Sequence, residues 1–164
     1  MKKFIKIVIS LLTFSMLFGC TQLTSKEKLK FTVEETGQTV AIAVNEKDGY
    51  AVVKENGVPY IKKDDETIFT CTFITFDQYS SYREEIVNDT DNETYTYYKE
   101  GTKKKNKYVY FESNIDGTER YSYIVEIIGT TNANTGVLLV SETDRDTAQA
   151  AFKKTTLSID IYAN

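Results

Sequence analysis

From Phe31 onward, apolar and polar residues alternate in short runs broken by glycine, asparagine and aspartate. That period of two is the mark of β-strands with one covered face. Phe31–Glu34 and Thr39–Val44 alternate, with Val40, Ile42 and Val44 on one side and only alanines on the other. Thr36-Gly37 and Asp48-Gly49 punctuate as turns. Asn56-Gly57 joins Tyr50–Val53 to Val58–Ile61 as a two-residue hairpin, because both central residues of a type I′ turn need positive φ. Pro59 cannot donate to a ladder and is expected on an edge strand. Thr67–Phe76 carries Ile68 and Ile74 on one face and Phe69, Cys71 and Phe73 on the other, which predicts a central strand covered on both sides. Glu93–Lys99 and Lys107–Ile115 read as strands joined by a loop over 100–106. Asp116-Gly117 is a second two-residue turn, and its register follows by counting outward. Tyr110 should face Tyr123, Val109 should face Ile124, and Lys107 should face Glu126. An aromatic, an aliphatic and an opposite-charge pair are what cross-strand neighbours favour.

Two stretches switch to helical period. Asp77 reads as an N-cap for Gln78–Val87, whose Tyr79, Tyr82 and Ile86 form one apolar stripe. The polar run 88–92 ends it. After the loop 129–136 and the short strand Val137–Val140, Thr143 reads as the cap of a last helix reaching about Ser158. Its inner stripe is Ala148, Ala151, Phe152 and Thr155. Successive hairpins rather than βαβ units predict an α+β fold: an antiparallel sheet of about eight strands with two helices packed on it. The strand-to-helix junctions Phe76-Asp-Gln-Tyr-Ser-Ser-Tyr-Arg-Glu-Glu-Ile86 and 136–152, with a meander between them, make the chain similar to the PsbP-like α/β/α sandwich family. The family's aromatic Pro-x-x-Trp turn is missing. The resemblance implies a fold and a set of mostly non-enzymatic roles, not one function.

The amino end follows a different pattern. Lys2, Lys3 and Lys6 precede the uncharged run Ile7–Phe18, and Gly19-Cys20 closes it. This is the plan of a secretory signal peptide. The run is too short to span a bilayer, which takes about 20 apolar residues. Leu17, Gly19 and Cys20 make it resemble the bacterial lipoprotein signal with its lipobox, departing at Phe18, where that family usually has a smaller residue. The resemblance implies lipidation of Cys20 and cleavage before it. It places the protein on the extracytoplasmic face of a bacterial cell membrane, and two acyl chains suffice for stable anchoring. The expected organisation is a signal over 1–19, a lipidated cysteine with a flexible tether over 20–30, and a single α+β domain over 31–164.

Charge and residue types narrow the chemistry. Losing Lys2, Lys3 and Lys6 with the leader leaves 17 basic and 24 acidic residues, a net charge of −7. Such a chain is repelled by nucleic acid, and no DNA or RNA partner is expected. Histidine is absent, which removes Ser-His-Asp and Cys-His catalysis. With Cys20 acylated, Cys71 has no partner for a disulfide and reads as a buried small hydrophobe. Ser25-Lys26-Glu27-Lys28 matches a Ser-x-x-Lys pattern by chance, without its companion motifs.

Asp89, Asp91, Glu93 and Glu100 have a calcium-loop spacing, but Thr94 stands where the sharp turn wants glycine, so a solvated acidic loop is expected. No paired-carboxylate geometry, phosphate-cradling glycine loop or nucleophile elbow is visible, and no cofactor or metal is expected. Lys103, Lys104 and Lys105 form a basic tip that reads either as a charged loop resisting edge association or as a contact for an anionic partner. Tyrosines 95, 97, 98, 108, 110, 121 and 123 lie on adjoining strands and read as sheet packing, with an aromatic binding face as the sharper alternative. The expected function is a non-catalytic binding or interaction module of the cell envelope, acting on a protein partner there. The alternatives are a small extracytoplasmic enzyme or enzyme accessory, and a lipoprotein excluding a phage or toxin.

Overall fold

Eleven short or medium strands and two helices account for most of the chain described by the computed structural model, which covers residues 24–26, 28–89, 94–129 and 135–160. The strands are β1 (Thr24–Lys26), β2 (Lys28–Val33), β3 (Gln38–Ala43), β4 (Tyr50–Glu55), β5 (Val58–Lys63), β6 (Glu66–Thr75), β7 (Tyr95–Lys103), β8 (Asn106–Ile115), β9 (Thr118–Ile127), β10 (Thr135–Ser141) and β11 (Thr156–Ile159). Helix α1 spans Phe76–Val87 and α2 spans Arg145–Lys154.

The α+β class and the antiparallel pairing hold, but the strands divide between two sheets. The larger has the order β1-β4-β5-β6-β10-β9-β8-β7, seven strands of six residues or more with three-residue β1 on one edge. The smaller has the order β11-β3-β2. Alternation told that Val40, Ile42 and Val44 are buried, and they are. It did not name the strand's partner. β1 occupies the edge of β4, so the β2–β3 hairpin pairs instead with β11.

The large sheet is covered on both faces. On one face Tyr110, Tyr123, Val125, Leu139, Phe69 and Cys71 pack against Ala148, Ala151 and Phe152 of α2 and against Phe31, Ile42 and Leu157 of the small sheet. On the other, Val109, Phe111, Ile124, Leu138 and Ile74 pack against Tyr79 and Ile86 of α1. Each fully buried Ile, Leu or Phe contributes about 1.5–3 kcal/mol by removal from water. β6 is therefore the doubly covered central strand its sequence predicts.

Several boundaries differ from the sequence reading. Residues 24–26 and 28–30 of the expected tether are strand, so the fold begins at least seven residues earlier than 31. Pro59 is not on an edge: β5 lies between β4 and β6. In the hairpin Pro59 faces Lys54 in a pair that exchanges no hydrogen bonds, so its nitrogen points toward β6, and pairing with β6 starts only at Tyr60. The loop expected over 100–106 shrinks to the two-residue turn Lys104-Lys105, with Lys104 at φ 56°. The cap of α1 is Thr75, not Asp77. The Thr75 hydroxyl accepts from Gln78 N at 3.2 Å while Gln78 Oε1 accepts from Thr75 N at 2.8 Å. The cap of α2 is Asp144, not Thr143, accepting from Thr147 N at 2.9 Å. The last helix stops at Lys154 rather than near Ser158, because residues 156–159 form β11 against β3.

Candidate functional site

The edge of the large sheet formed by β7, β8 and β9 is where the aromatic and basic residues of the chain meet. The Asp116-Gly117 hairpin holds the expected register, with Tyr110 opposite Tyr123, Val109 opposite Ile124 and Lys107 opposite Glu126. Asp116 and Gly117 both take positive φ, 53° and 83°. That register stacks the rings of Tyr108, Tyr110 and Tyr123 on one face. Tyr110 and Tyr123 have centroids 4.9 Å apart, and Phe152 of α2 stacks on Tyr123 at 3.8 Å. Tyr108 closes the group, 5.1 Å from Phe152 and 5.9 Å from Tyr123. Its ring lies across Gly101 on β7, where a Cβ would come within 2.5 Å of the ring, so any other residue there would have to displace Tyr108.

Between this aromatic floor and α2 lies an open cleft of about 410 Å³, lined by Lys99, Thr102, Lys103, Tyr108, Tyr110, Tyr123, Gln149, Phe152 and Lys153. Burial pushes the Tyr110 and Tyr123 phenols well above the ordinary tyrosine range. They stay neutral at any physiological pH. The Tyr110 hydroxyl donates to Glu112 at 2.6 Å, and Glu112 in turn meets Arg145 at 2.7 Å. That carboxylate is thus engaged by two partners and lies outside the cleft's lining.

The three lysines of the expected basic tip have separate fates. Lys103 folds inward. Its ammonium donates to the carbonyl oxygens of Phe152 and, at 2.6 Å, Thr155, and sits 4.7 Å from the Phe152 ring centroid. It caps the carboxyl end of α2, where a cation is favoured by the exposed carbonyls. Burial and the neighbouring Lys104 charge lower its pKa to about 8. Lys104 reaches Thr156 Oγ1 at 3.4 Å, and Lys105 is exposed. Lys99 and Lys153 complete the basic wall of the cleft, and they were not singled out from sequence. Their spacing gives no motif; they line one cleft only because α2 packs on the face of the sheet, against β6 and β9.

The other singled-out residues are accounted for. Cys20 lies outside the described residues. Cys71 is 1% exposed, and burial raises its thiol pKa far above the ordinary range, as expected of an inert core residue. Asp89 accepts from Tyr95 N at 2.9 Å and Glu100 meets Arg83 at 2.6 Å, while Asp91 and Glu93 lie outside the described residues. Among the described residues no cluster of three or more potential metal ligands occurs, and no helix is long and apolar enough to cross a membrane. Of the tyrosine series, Tyr95 packs on Phe111 and bonds Glu85, Tyr108, Tyr110 and Tyr123 line the cleft, and Tyr97 and Tyr98 are exposed on edge strand β7.

A second cleft, of about 620 Å³, opens on the opposite face between α1 and β7–β9. Its cations are neutralised within it: Arg83 by Glu100, and Lys107 by Glu126 at 3.6 Å. No family model matches the chain, and no curated protein or solved structure matches it.

Proposed function

We propose that the protein is a lipid-anchored lipoprotein of the bacterial cell envelope that acts as a non-catalytic binding module on the extracytoplasmic face. The observation that carries the binding reading is the cleft over Tyr108, Tyr110, Tyr123 and Phe152. Its walls offer apolar rings and ammonium groups, which hold a ligand by packing and charge. Glu112, the carboxylate bonded to Tyr110, is taken up by Arg145 as well. The anchoring reading rests on Lys2, Lys3, Lys6, the apolar run 7–18 and Gly19-Cys20. The PsbP-like reading of the fold is supported by the two strand-to-helix junctions, β6 into α1 and β10 toward α2.

Anchoring through Cys20 has a geometric consequence. Thr24 pairs with Lys54, so β1 enters the large sheet at the end that carries the Asn56-Gly57 turn. Following the register strand by strand, the same end carries Thr75, Thr135 and the Lys104-Lys105 turn. Four residues of extended chain reach at most about 14 Å. That end of the sheet would therefore lie close to the lipid surface, with the Asp116-Gly117 turn at the far end. The test is Cys20→Ala in cells. The variant is expected to remain unprocessed or to leave the membrane fraction. Membrane-bound Cys20→Ala protein cleaved at the normal position would refute the anchor.

A further inference from the structure

Resting on the binding-module reading, we infer that the cleft between α2 and β7–β9 takes a small ring-bearing organic anion, a cyclic or aromatic carboxylate, sulfonate or phosphate. Charge carries this inference. The mature chain has seven more acids than bases, yet no Asp or Glu lines the cleft. Several cations elsewhere on the surface are matched by acids, while Lys28, Lys47 and Lys105 stand singly on it. Lys30 meets Asp160, Lys62 meets Glu55, Arg120 meets Glu142 and Lys154 meets Asp48. Lys99 and Lys153 also make no hydrogen bond or ion pair with any described residue, and they differ from the other unmatched lysines in lining one cleft together. They rise from opposite walls, one from β7 and one from α2. Lys103 adds a third positive charge at the rim of the floor, held by the helix carbonyls.

The floor supplies the other half of the recognition. Tyr108 is half-buried and offers ring surface to the cleft, and the Tyr123–Phe152 stack backs it. Gln149 bonds the Tyr110 hydroxyl, and its amide keeps a second N–H able to donate to an anionic or hydroxylated ligand. A cleft of about 410 Å³ falls in the size range of small-ligand sites, roughly 300–1,000 Å³. A lone lysine in water binds an anion weakly. Two lysines facing each other across an aromatic floor hold one that also stacks. A ring-bearing cation would face three like charges. The larger cleft under α1 makes a poorer candidate, because Glu100 and Glu126 already neutralise its cations.

The test uses the full, detergent-solubilised protein and two probes of matched shape, naphthalene-1-sulfonate and 1-naphthylmethylammonium, with inorganic phosphate as a third. Titration calorimetry against a detergent blank should show saturable binding of the sulfonate, weaker binding of phosphate and none of the ammonium. Lys99→Gln with Lys153→Gln should weaken sulfonate binding at least about tenfold, as loss of two charge-assisted contacts does. Both residues are exposed or on the cleft wall, so the double variant should keep its fold, checked by thermal melting. Lys99→Glu with Lys153→Glu should reverse the preference toward the ammonium probe. Unchanged sulfonate affinity in either double variant overturns the inference, as does phosphate binding as tightly as the sulfonate. If the ammonium probe binds the wild type and Tyr108→Leu abolishes that binding, the cleft is a binding site but not for anions. If neither naphthalene probe binds, the inference is overturned, while the binding-module reading is left to its own test with a protein partner.

Discussion

Lys103 and the tyrosines beside it titrate in opposite senses, and the sign of each effect on stability can be worked out. Burial and Lys104 lower the Lys103 pKa from 10.5 to about 8. Between about pH 8 and 10.5 the unfolded chain holds a proton that the folded one has released, so this group raises stability as pH increases through that window. Tyr95, Tyr110 and Tyr123 are pushed up, chiefly by burial. Above about pH 10 the unfolded chain loses protons that the folded one keeps, so stability falls. Urea midpoints measured across pH 7–12 should therefore rise slightly and then drop above pH 10, with tyrosinate absorbance from the buried rings appearing only as the chain unfolds. A Lys103→Met variant should lose the rise and keep the drop. Normal titration of all twelve tyrosines in the folded protein would contradict the burial described for the floor of the cleft.

At the scale of elements, local chemistry made most of the fold legible. Asn56-Gly57 and Asp116-Gly117 both turn with positive φ, and the second fixed every pairing counted outward from it. The stripes Tyr79/Ile86 and Ala148/Ala151/Phe152 face the core as their periodicity requires. The sequence pattern misplaces the caps, each onto a neighbouring polar residue: Asp77 for Thr75 and Thr143 for Asp144. Thr75-Phe-Asp-Gln78 is a capping box, and its reciprocal bonds outweigh the Asp77 carboxylate two residues further in. Thr75→Ala should cost about 1 kcal/mol in a urea melt, whereas Asp77→Ala should cost only a few tenths. Equal costs would return the cap to Asp77. The Asp64-Asp65 turn, with φ 48° and 69°, joins β5 to β6 without the glycine that usually announces such a turn, so the pattern passed over it.

The arrangement of the whole molecule was less legible, because strand alternation marks a covered face and not a partner. Nothing local says that β11 should leave α2 and pair with β3, or that β1 should take the edge of β4. The cleft has the same origin: Tyr108, Tyr110 and Tyr123 could be listed from sequence, but Lys99 and Lys153 join them only through the packing of α2 on the face of the sheet. The proposed anchor is the reverse case, since its reading rests entirely on residues 1–20 and not on the fold. It also governs how the cleft would be presented, since β1 enters at the end of the sheet that bears Lys104 and Lys105. The most direct measurement of this account is the mass of the amino-terminal peptide of protein extracted from bacterial membranes. It should begin at Cys20 and carry a diacylglyceryl group on sulfur. A peptide that begins at Met1, or at Cys20 with a free thiol, would contradict it.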